Sequence, residues 1–324
     1  METILPILGG LALLVLGGDL LVRGAVRVAE RLGVSPLLIG LTLVGFGTST
    51  PELTTSLQAA LVGSPGIAVG NAVGSNIANI LLILGLSAVV APVAVSSAAL
   101  ARDGVVMVGA AVLFLLAAWT FGLSRPVGAV FLAGMVAYIL YAWRQERAGT
   151  GDHTAAFDKA EAFEGVRKGL HDTGTGSLLL PIGLAIGGLV LVVVGARFMV
   201  DGAVGLARTL GVSETVIGLT IVAVGTSAPE LVTSIVAAAR RQSDVALGNV
   251  LGSNIYNLLG ILGVTALVAP VEVPAEIARF DGPVMLAVSC ALLFVAWTGM
   301  RIGRREGGTL LACYGLYVWW IWPA

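Results

Sequence analysis

Gly47-Thr48-Ser49-Thr50-Pro51-Glu52-Leu53 recurs 178 residues later as Gly225-Thr226-Ser227-Ala228-Pro229-Glu230-Leu231. Around this pair the two copies run without a gap. Gly24 to Ser56 and Gly202 to Ser234 are identical at 21 of 33 positions, far too many for chance, so the chain contains an internal repeat. The same offset holds for Gly70-Asn71 with Gly248-Asn249, for Gly-Ser-Asn-Ile at 74–77 and 252–255, and for Asn79 with Asn257. It continues through Ala-Pro-Val at 91–93 and 269–271, Asp103-Gly104 with Asp281-Gly282, and Trp119 with Trp297.

The solvent of this duplicated chain is lipid. Of its 324 residues 57% are hydrophobic and 11% charged, whereas soluble domains carry roughly a quarter charged residues. Apolar stretches of about 20 residues, the length that crosses a hydrocarbon core, fall at 4–22, 35–62, 66–95, 104–123, 126–143, 177–200, 212–239, 243–271, 282–300 and 308–322. The expected fold is an all-α integral membrane protein of ten transmembrane helices. Five spans per repeat is an odd number, so the second copy enters the membrane from the opposite face, giving two inverted five-helix repeats with broken helices at the midplane. The expected division is a first repeat at 1–143, a linker at 144–176 and a second repeat at 177–324.

Charge sets orientation and excludes partners. Cytoplasmic loops collect Lys and Arg, and Arg27, Arg31, Arg102, Arg144, Arg147, Lys159, Arg167, Lys168, Arg240, Arg241, Arg301, Arg304 and Arg305 all fall on one predicted face. Arg125, Arg208 and Arg279 fall on the other. The first face is expected inside the cell membrane, with a solvated cytoplasmic linker and both termini outside. A net charge of -1 and no basic tail exclude a nucleic-acid partner, and nothing points to an obligate protein partner. The opening Met1-Glu2-Thr3 lacks the positive charge of a cleavable signal. Cys290 and Cys313 read as small apolar packing residues. Both histidines, His153 and His171, lie in the linker, and no His-Glu-x-x-His motif exists, so nothing suggests hydrolytic chemistry or a cofactor.

Glu52 and Glu230 carry the chemistry. Each sits in the middle of an apolar span, where a carboxylate costs several kcal/mol on insertion scales, on the order of 2.5–3.5. The bland alternative is a pair of buried acids kept protonated or paired with basic residues for structure, but the mid-membrane Lys or Arg that pairing needs is missing near both motifs in sequence. Pro51 and Pro229 lack a backbone donor and crowd the preceding turn, which predicts a broken helix with freed carbonyls, tolerated in a bilayer only around a cavity or within protein. Carbonyls, carboxylates and the hydroxyls of Thr48, Ser49, Thr226 and Ser227 make an all-oxygen site suited to hard cations such as Ca²⁺. Ser75 with Asn79, and Ser253 with Asn257, lie four residues apart and share a helix face, expected to point at the acids. Asp19 with Arg23, and Arg197 with Asp201, are expected structural pairs, and Gly9, Gly10, Gly17 and Gly18 are expected to permit close helix packing or sliding.

With its paired Gly-Thr-Ser-x-Pro-Glu and Gly-Asn-x-x-Gly-Ser-Asn motifs, the chain resembles the cation/calcium exchanger superfamily, and within it the prokaryotic sodium/calcium exchangers. The resemblance covers nearly the whole chain. It implies an antiporter that moves Na⁺ against Ca²⁺ by alternating access, with no enzymatic activity. It further implies that Glu52 and Glu230 ligate Ca²⁺ and Na⁺. Thr48, Thr226 and the carbonyls of Gly45 and Ala223 would complete the calcium shell. Ser49, Ser75, Ser227 and Ser253 would serve sodium, and Asn79 and Asn257 would line the middle. Some relatives have Asp at the position of Asn257, so here two carboxylates balance one Ca²⁺ or two Na⁺. A Ca²⁺/H⁺ or K⁺-dependent antiporter of the same fold is the alternative coupling, and an ion channel fits an internal inverted pair poorly.

Overall fold

The computed structural model describes residues 4–32, 47, 49–95, 100–148, 159 and 178–322. In chain order the helices are α1 (Ile4–Arg31), α2 (Thr50–Leu61), α3 (Pro65–Val90), α4 (Ala101–Thr120) and α5 (Arg125–Ala148) in the first half. The second half has α6 (Leu179–Leu210), α7 (Glu214–Thr226), α8 (Ala228–Ala239), α9 (Val245–Val268), α10 (Ile277–Thr298) and α11 (Arg304–Ile321). Among the described residues seven of these are long and apolar enough to cross a bilayer, and α7 with α8, bent by 51°, counts as an eighth. The protein is thus a multi-pass, all-helical membrane protein. Most of the segment 35–49, expected to begin the second span, lies outside the described residues.

Two boundaries move. α1 reaches Arg31 rather than ending near residue 22, so Arg27 and Arg31 belong to a helix and not to a loop. α5 reaches Ala148, so its last turn lies inside the segment expected to be linker from residue 144. In both cases the helix outruns its apolar stretch, because backbone hydrogen bonding propagates cooperatively beyond the hydrophobic signal.

α3 and α9 form the centre. Their apolar windows are 78% and 89% buried, against 28% for α1, α5 and α6, so the remaining helices wrap around them. Ile77, Ile80, Leu84, Phe114, Tyr256, Leu258 and Leu262 join the two halves in one core. Both central helices are wound into π-helix at corresponding places, Asn79–Leu84 and Tyr256–Ile261. Such single-turn widenings inside helices favour functional positions, and here each begins at or beside a motif asparagine. A third π segment, Gly218–Val222, lies in α7 just before the duplicated motif.

Loops tie one half to the other in a pattern that respects the repeat. Strand β1 (Val93–Ala94), after α3, pairs antiparallel with β2 (Arg301–Ile302), before α11. Val271, the counterpart of Val93, bridges to Leu123 between α4 and α5. Each half therefore closes its neighbour's loop.

α1 and α6 pack backbone to backbone. A Cβ on Gly10 would lie 2.7 Å from the carbonyl oxygen of Gly195, and one on Gly17 would lie 2.8 Å from that of Gly188. Gly10 and Gly188 are repeat equivalents, as are Gly17 and Gly195, so the two contacts are one contact repeated. Gly9 faces open space and Gly18 only approaches Pro51 at 3.9 Å, which limits the expected packing role to Gly10 and Gly17. The structural pairs form: Arg23 Nε lies 2.6 Å from Asp19, and Arg197 Nε 4.0 Å from Asp201. Cys290 and Cys313 are exposed on their helices rather than packed inside, a correction to the expected role. A thiol is apolar enough to sit on a helix face turned to lipid.

Candidate ion-binding site

The two duplicated motifs sit at repeated helix breaks. Ser49 precedes α2 and Ser227 joins α7 to α8, with near-identical backbone angles, φ -89° and ψ 11° against φ -80° and ψ 10°. These lie in the sparsely populated bridge region where turn and active-site residues collect. Pro51 and Pro229 occupy the first turn of α2 and α8, where a missing N–H costs nothing. Neither serine caps its helix with its side chain, so both hydroxyls are available elsewhere. One turn later come Glu52 and Glu230, only 1% and 3% exposed.

The carbonyls of the two glutamates are clamped by a pair of asparagines. Asn71 Nδ2 donates to the Glu52 carbonyl at 3.0 Å and to Ser56 Oγ at 2.9 Å, while Thr226 Oγ1 donates to Asn71 Oδ1 at 2.9 Å. Asn249 Nδ2 lies 3.2 Å from the Glu230 carbonyl, 2.9 Å from Thr233 Oγ1 and 2.8 Å from Ser234 Oγ. Both asparagines are fully buried and fix where each acid leaves its helix. The sequence reading aligned them but gave them no role, although their duplication was the signal.

Around the carboxylates two trios assemble, each drawing on both repeats. Ser227 Oγ donates to Glu52 Oε1 at 3.1 Å and lies 3.0 Å from Ser75 Oγ. The repeat counterparts of these three residues are Ser49, Glu230 and Ser253. They meet around one group, the ammonium of Lys159, which donates to Ser49 Oγ at 3.2 Å, Glu230 Oε1 at 3.3 Å and Ser253 Oγ at 2.6 Å. Lys159 is fully buried, 5.7 Å from the centre of the Tyr256 ring. The expectation that no basic residue approaches the acids is therefore overturned, as is that of an entirely solvated linker. Lys159 has no repeat counterpart, and a linker residue carries no periodic signal. Two carboxylates in a low-dielectric interior draw in a cation that the chain can bring to them.

The amide nitrogens of Asn79 and Asn257 bind across the repeats. Asn79 Nδ2 donates to Asn254 Oδ1 at 2.9 Å, and Asn257 Nδ2 donates to Asn76 Oδ1 at 2.9 Å. Asn76 Nδ2 reaches the Asn254 carbonyl at 3.1 Å, and Asn254 Nδ2 the Asn76 carbonyl at 3.4 Å. These bonds knit four asparagines of α3 and α9 into a cross-repeat lattice. Asn79 Oδ1, Asn257 Oδ1, Glu52 Oε2 and Glu230 Oε2 are buried with no hydrogen-bond donor among the described residues.

The remaining candidates divide. The Ala223 carbonyl accepts Ser227 N–H at 3.0 Å and lies 3.4 Å from Ser75 Oγ, so it faces the Glu52 trio while staying in the helix ladder. Thr226 is buried beside it. Gly45 and Thr48 lie outside the described residues. Among the described residues, the carboxylates, serine hydroxyls and carbonyls around the acids are joined by asparagine amides and one ammonium, and four buried acceptor oxygens have no hydrogen-bond donor. Carboxylate, hydroxyl and carbonyl oxygens are the ligands that hard cations take.

The comparisons with known proteins agree. The family model described as sodium/calcium exchanger protein matches residues 3–144 and again 180–322. A protein named sodium/calcium exchanger MaX1, from Methanosarcina acetivorans, is 39% identical over 96% of this chain and 95% of its own length. A putative antiporter, CaxA, from Alkalimonas amylolytica is 38% identical over 95% of both. Among solved structures, that of the sodium-calcium exchanger NCX_Mj soaked with 10 mM Na⁺ and 10 mM Sr²⁺ matches with a TM-score of 0.61 at 34% identity, covering 98% of this chain and 97% of that one. Matched twice by one family model and along nearly its whole length by these relatives, the chain belongs to the sodium/calcium exchanger family.

Proposed function

We propose that this protein is a secondary antiporter that exchanges Na⁺ for Ca²⁺ by alternating access, through the cluster built on Glu52 and Glu230. The observation that carries this reading is the set of buried oxygens that find no donor among the described residues, Glu52 Oε2, Glu230 Oε2, Asn79 Oδ1 and Asn257 Oδ1, in two repeat-related pairs. Leaving buried acceptors unpaired costs on the order of 1–3 kcal/mol each, and a desolvated cation repays that cost by supplying the missing positive charge. Two carboxylates neutralise one Ca²⁺ or two Na⁺. The two loads are alternatives for one charge-limited site, and a cluster left with two bare carboxylates resists exposure to the bilayer interior.

In this reading Glu52 and Glu230 ligate both ions, Thr48, Thr226 and the carbonyls of Gly45 and Ala223 complete the calcium shell, and Ser49, Ser75, Ser227 and Ser253 serve sodium. Asn79 and Asn257 supply amide oxygens at the centre. The chain has ten crossings in two inverted repeats, 1–143 and 177–324. Both termini lie outside the cell membrane, with the segment 144–176 connecting the repeats from the cytoplasmic side and Lys159 inserted from it into the site. α1 and α6 form the moving pair, supported by their glycine contacts, which bring the two backbones together at Gly10, Gly17, Gly188 and Gly195.

The test is calcium uptake into vesicles driven by an outward sodium gradient. Uptake that collapses when the sodium gradient is removed is the expected result. Uptake that persists on a proton gradient alone would replace Na⁺ by H⁺ as the coupling ion, and conductance far above carrier turnover would sink the antiporter reading altogether.

A further inference from the structure

Lys159 is not part of either repeat, yet its ammonium fills one of two equivalent polar half-sites. Its three ligands, Ser49, Glu230 and Ser253, correspond one for one, at the 178-residue offset, to Ser227, Glu52 and Ser75. In the second trio the hydroxyl of Ser227 turns inward onto its own glutamate and serine. In the first, the oxygens converge on an external positive charge. An ammonium with three protons directed at two hydroxyls and a carboxylate presents the charge, and nearly the ligand distances, of a monovalent cation.

We propose that Lys159 is a tethered cation that competes with the transported ions for the Glu230 half-site. The proposal rests on the exchange reading above. With the ammonium in place the two carboxylates retain a single net negative charge. That charge accommodates one Na⁺ at the Glu52 half-site, but Ca²⁺ would leave the cluster with a net positive charge in a dry interior, so Ca²⁺ binding requires Lys159 to leave. The tether permits this. Lys159 lies 11 residues past Ala148 and 19 before Leu178, and 11 residues of chain reach at most about 36–40 Å, ample to deliver the ammonium to the site or withdraw it to water. Lys159 thereby sets the concentration at which calcium can load.

The chain holds only two lysines, Lys159 and Lys168, so amine labelling read by mass spectrometry reports on each separately. In the full-length protein in lipid nanodiscs, with N-methylglucamine as the sole cation, Lys159 should label many-fold more slowly than in the denatured chain. Adding Ca²⁺ should raise its rate several-fold, with half the effect at the calcium concentration that half-saturates transport, while Lys168 stays unchanged. The Lys159→Gln variant should reach half-saturation at several-fold lower Ca²⁺, with Lys168→Gln as the matched control. A Lys159 labelling rate indifferent to Ca²⁺, a rise shared equally by Lys168, or an unchanged calcium half-saturation in Lys159→Gln would overturn the proposal. Absence of sodium-driven calcium flux in the unmodified protein would instead overturn the exchange reading. The labelling measurement requires no flux, so the two failures are distinct.

Discussion

The two half-sites of the cluster are built from the same three residue types at equivalent positions, yet they differ in how their charge is met. The Glu52 trio is closed by a hydroxyl from the other repeat, Ser227 to Glu52 at 3.1 Å. The Glu230 trio is closed by an ammonium from neither repeat, Lys159 to Glu230 at 3.3 Å. A serine can be pushed aside by a cation without moving charge, whereas displacing the lysine moves a full positive charge out of the site. Duplication therefore supplied two equivalent sets of ligands, and a single residue of the connecting segment made them unequal.

Replacing the acids tests the shared part of this comparison most strongly. Glu52→Gln and Glu230→Gln should each reduce sodium-driven calcium uptake by at least about 100-fold, since removing one member of a buried charged assembly costs about 3–5 kcal/mol. Uptake in vesicles that survived either change would show that the two trios do not act together.

The helix pair outside the site offers the next largest effect. Gly17→Leu and Gly195→Leu should impair transport and stability alike, because both place side-chain atoms into one backbone contact seen twice, and overpacking costs about 1–3 kcal/mol. Gly9→Leu, in open space, should behave as the unmodified protein. Thermal unfolding and flux measured on all three variants check this, and a harmful Gly9→Leu would dissociate the effect from the α1–α6 contact.

Serine truncation separates the half-sites. Ser227→Ala strips Glu52 of its hydroxyl donor and should raise the half-saturating Na⁺ by about tenfold, the loss expected for a hydrogen bond to a charged group at roughly 1.5 kcal/mol. Ser49→Ala removes one of three acceptors around Lys159 and should have a smaller effect. Sodium titration of calcium flux orders the two, and the reverse order would contradict the asymmetry described above.

The asparagine clamps should show the smallest difference. Asn71→Ala and Asn249→Ala each release a glutamate carbonyl and should each destabilise by about 1–3 kcal/mol. The two costs should be nearly equal, because Asn249→Ala also strands Thr233 and Ser234 on α8, while Asn71→Ala also strands Ser56 on α2 and Thr226 on α7. Denaturation midpoints compared side by side would reveal this.

Much of this architecture was legible beforehand. Repetition makes a functional residue visible twice, so Glu52 with Glu230 and the paired prolines announced themselves, and the apolar run lengths marked the seven or eight spans found among the described residues. Asn71 and Asn249 carried the same signal, but a buried asparagine reads equally as helix packing until its partner is known. The pairing of Asn79 with Asn254 and of Asn257 with Asn76 left no local signal, because partners 175 and 181 residues apart share no periodicity. Where α1 and α5 end was equally hidden, since apolar length marks the membrane and not the last backbone hydrogen bond.

Sequence by itself determined that this chain lives in lipid, that it is a unit used twice, and that each unit brings one carboxylate flanked by hydroxyls and amides to a kinked helix. Tertiary structure alone decided which oxygen faces which across a separation of about 175 residues, that the asparagines knit the repeats together, and that Lys159 reaches one trio and not its twin. The physical reason is range. Periodicity and local turn chemistry act over a few residues and are written in order along the chain. The meeting of charges in a dry interior depends on the packing of distant helices and on the reach of a linker, which no local pattern records.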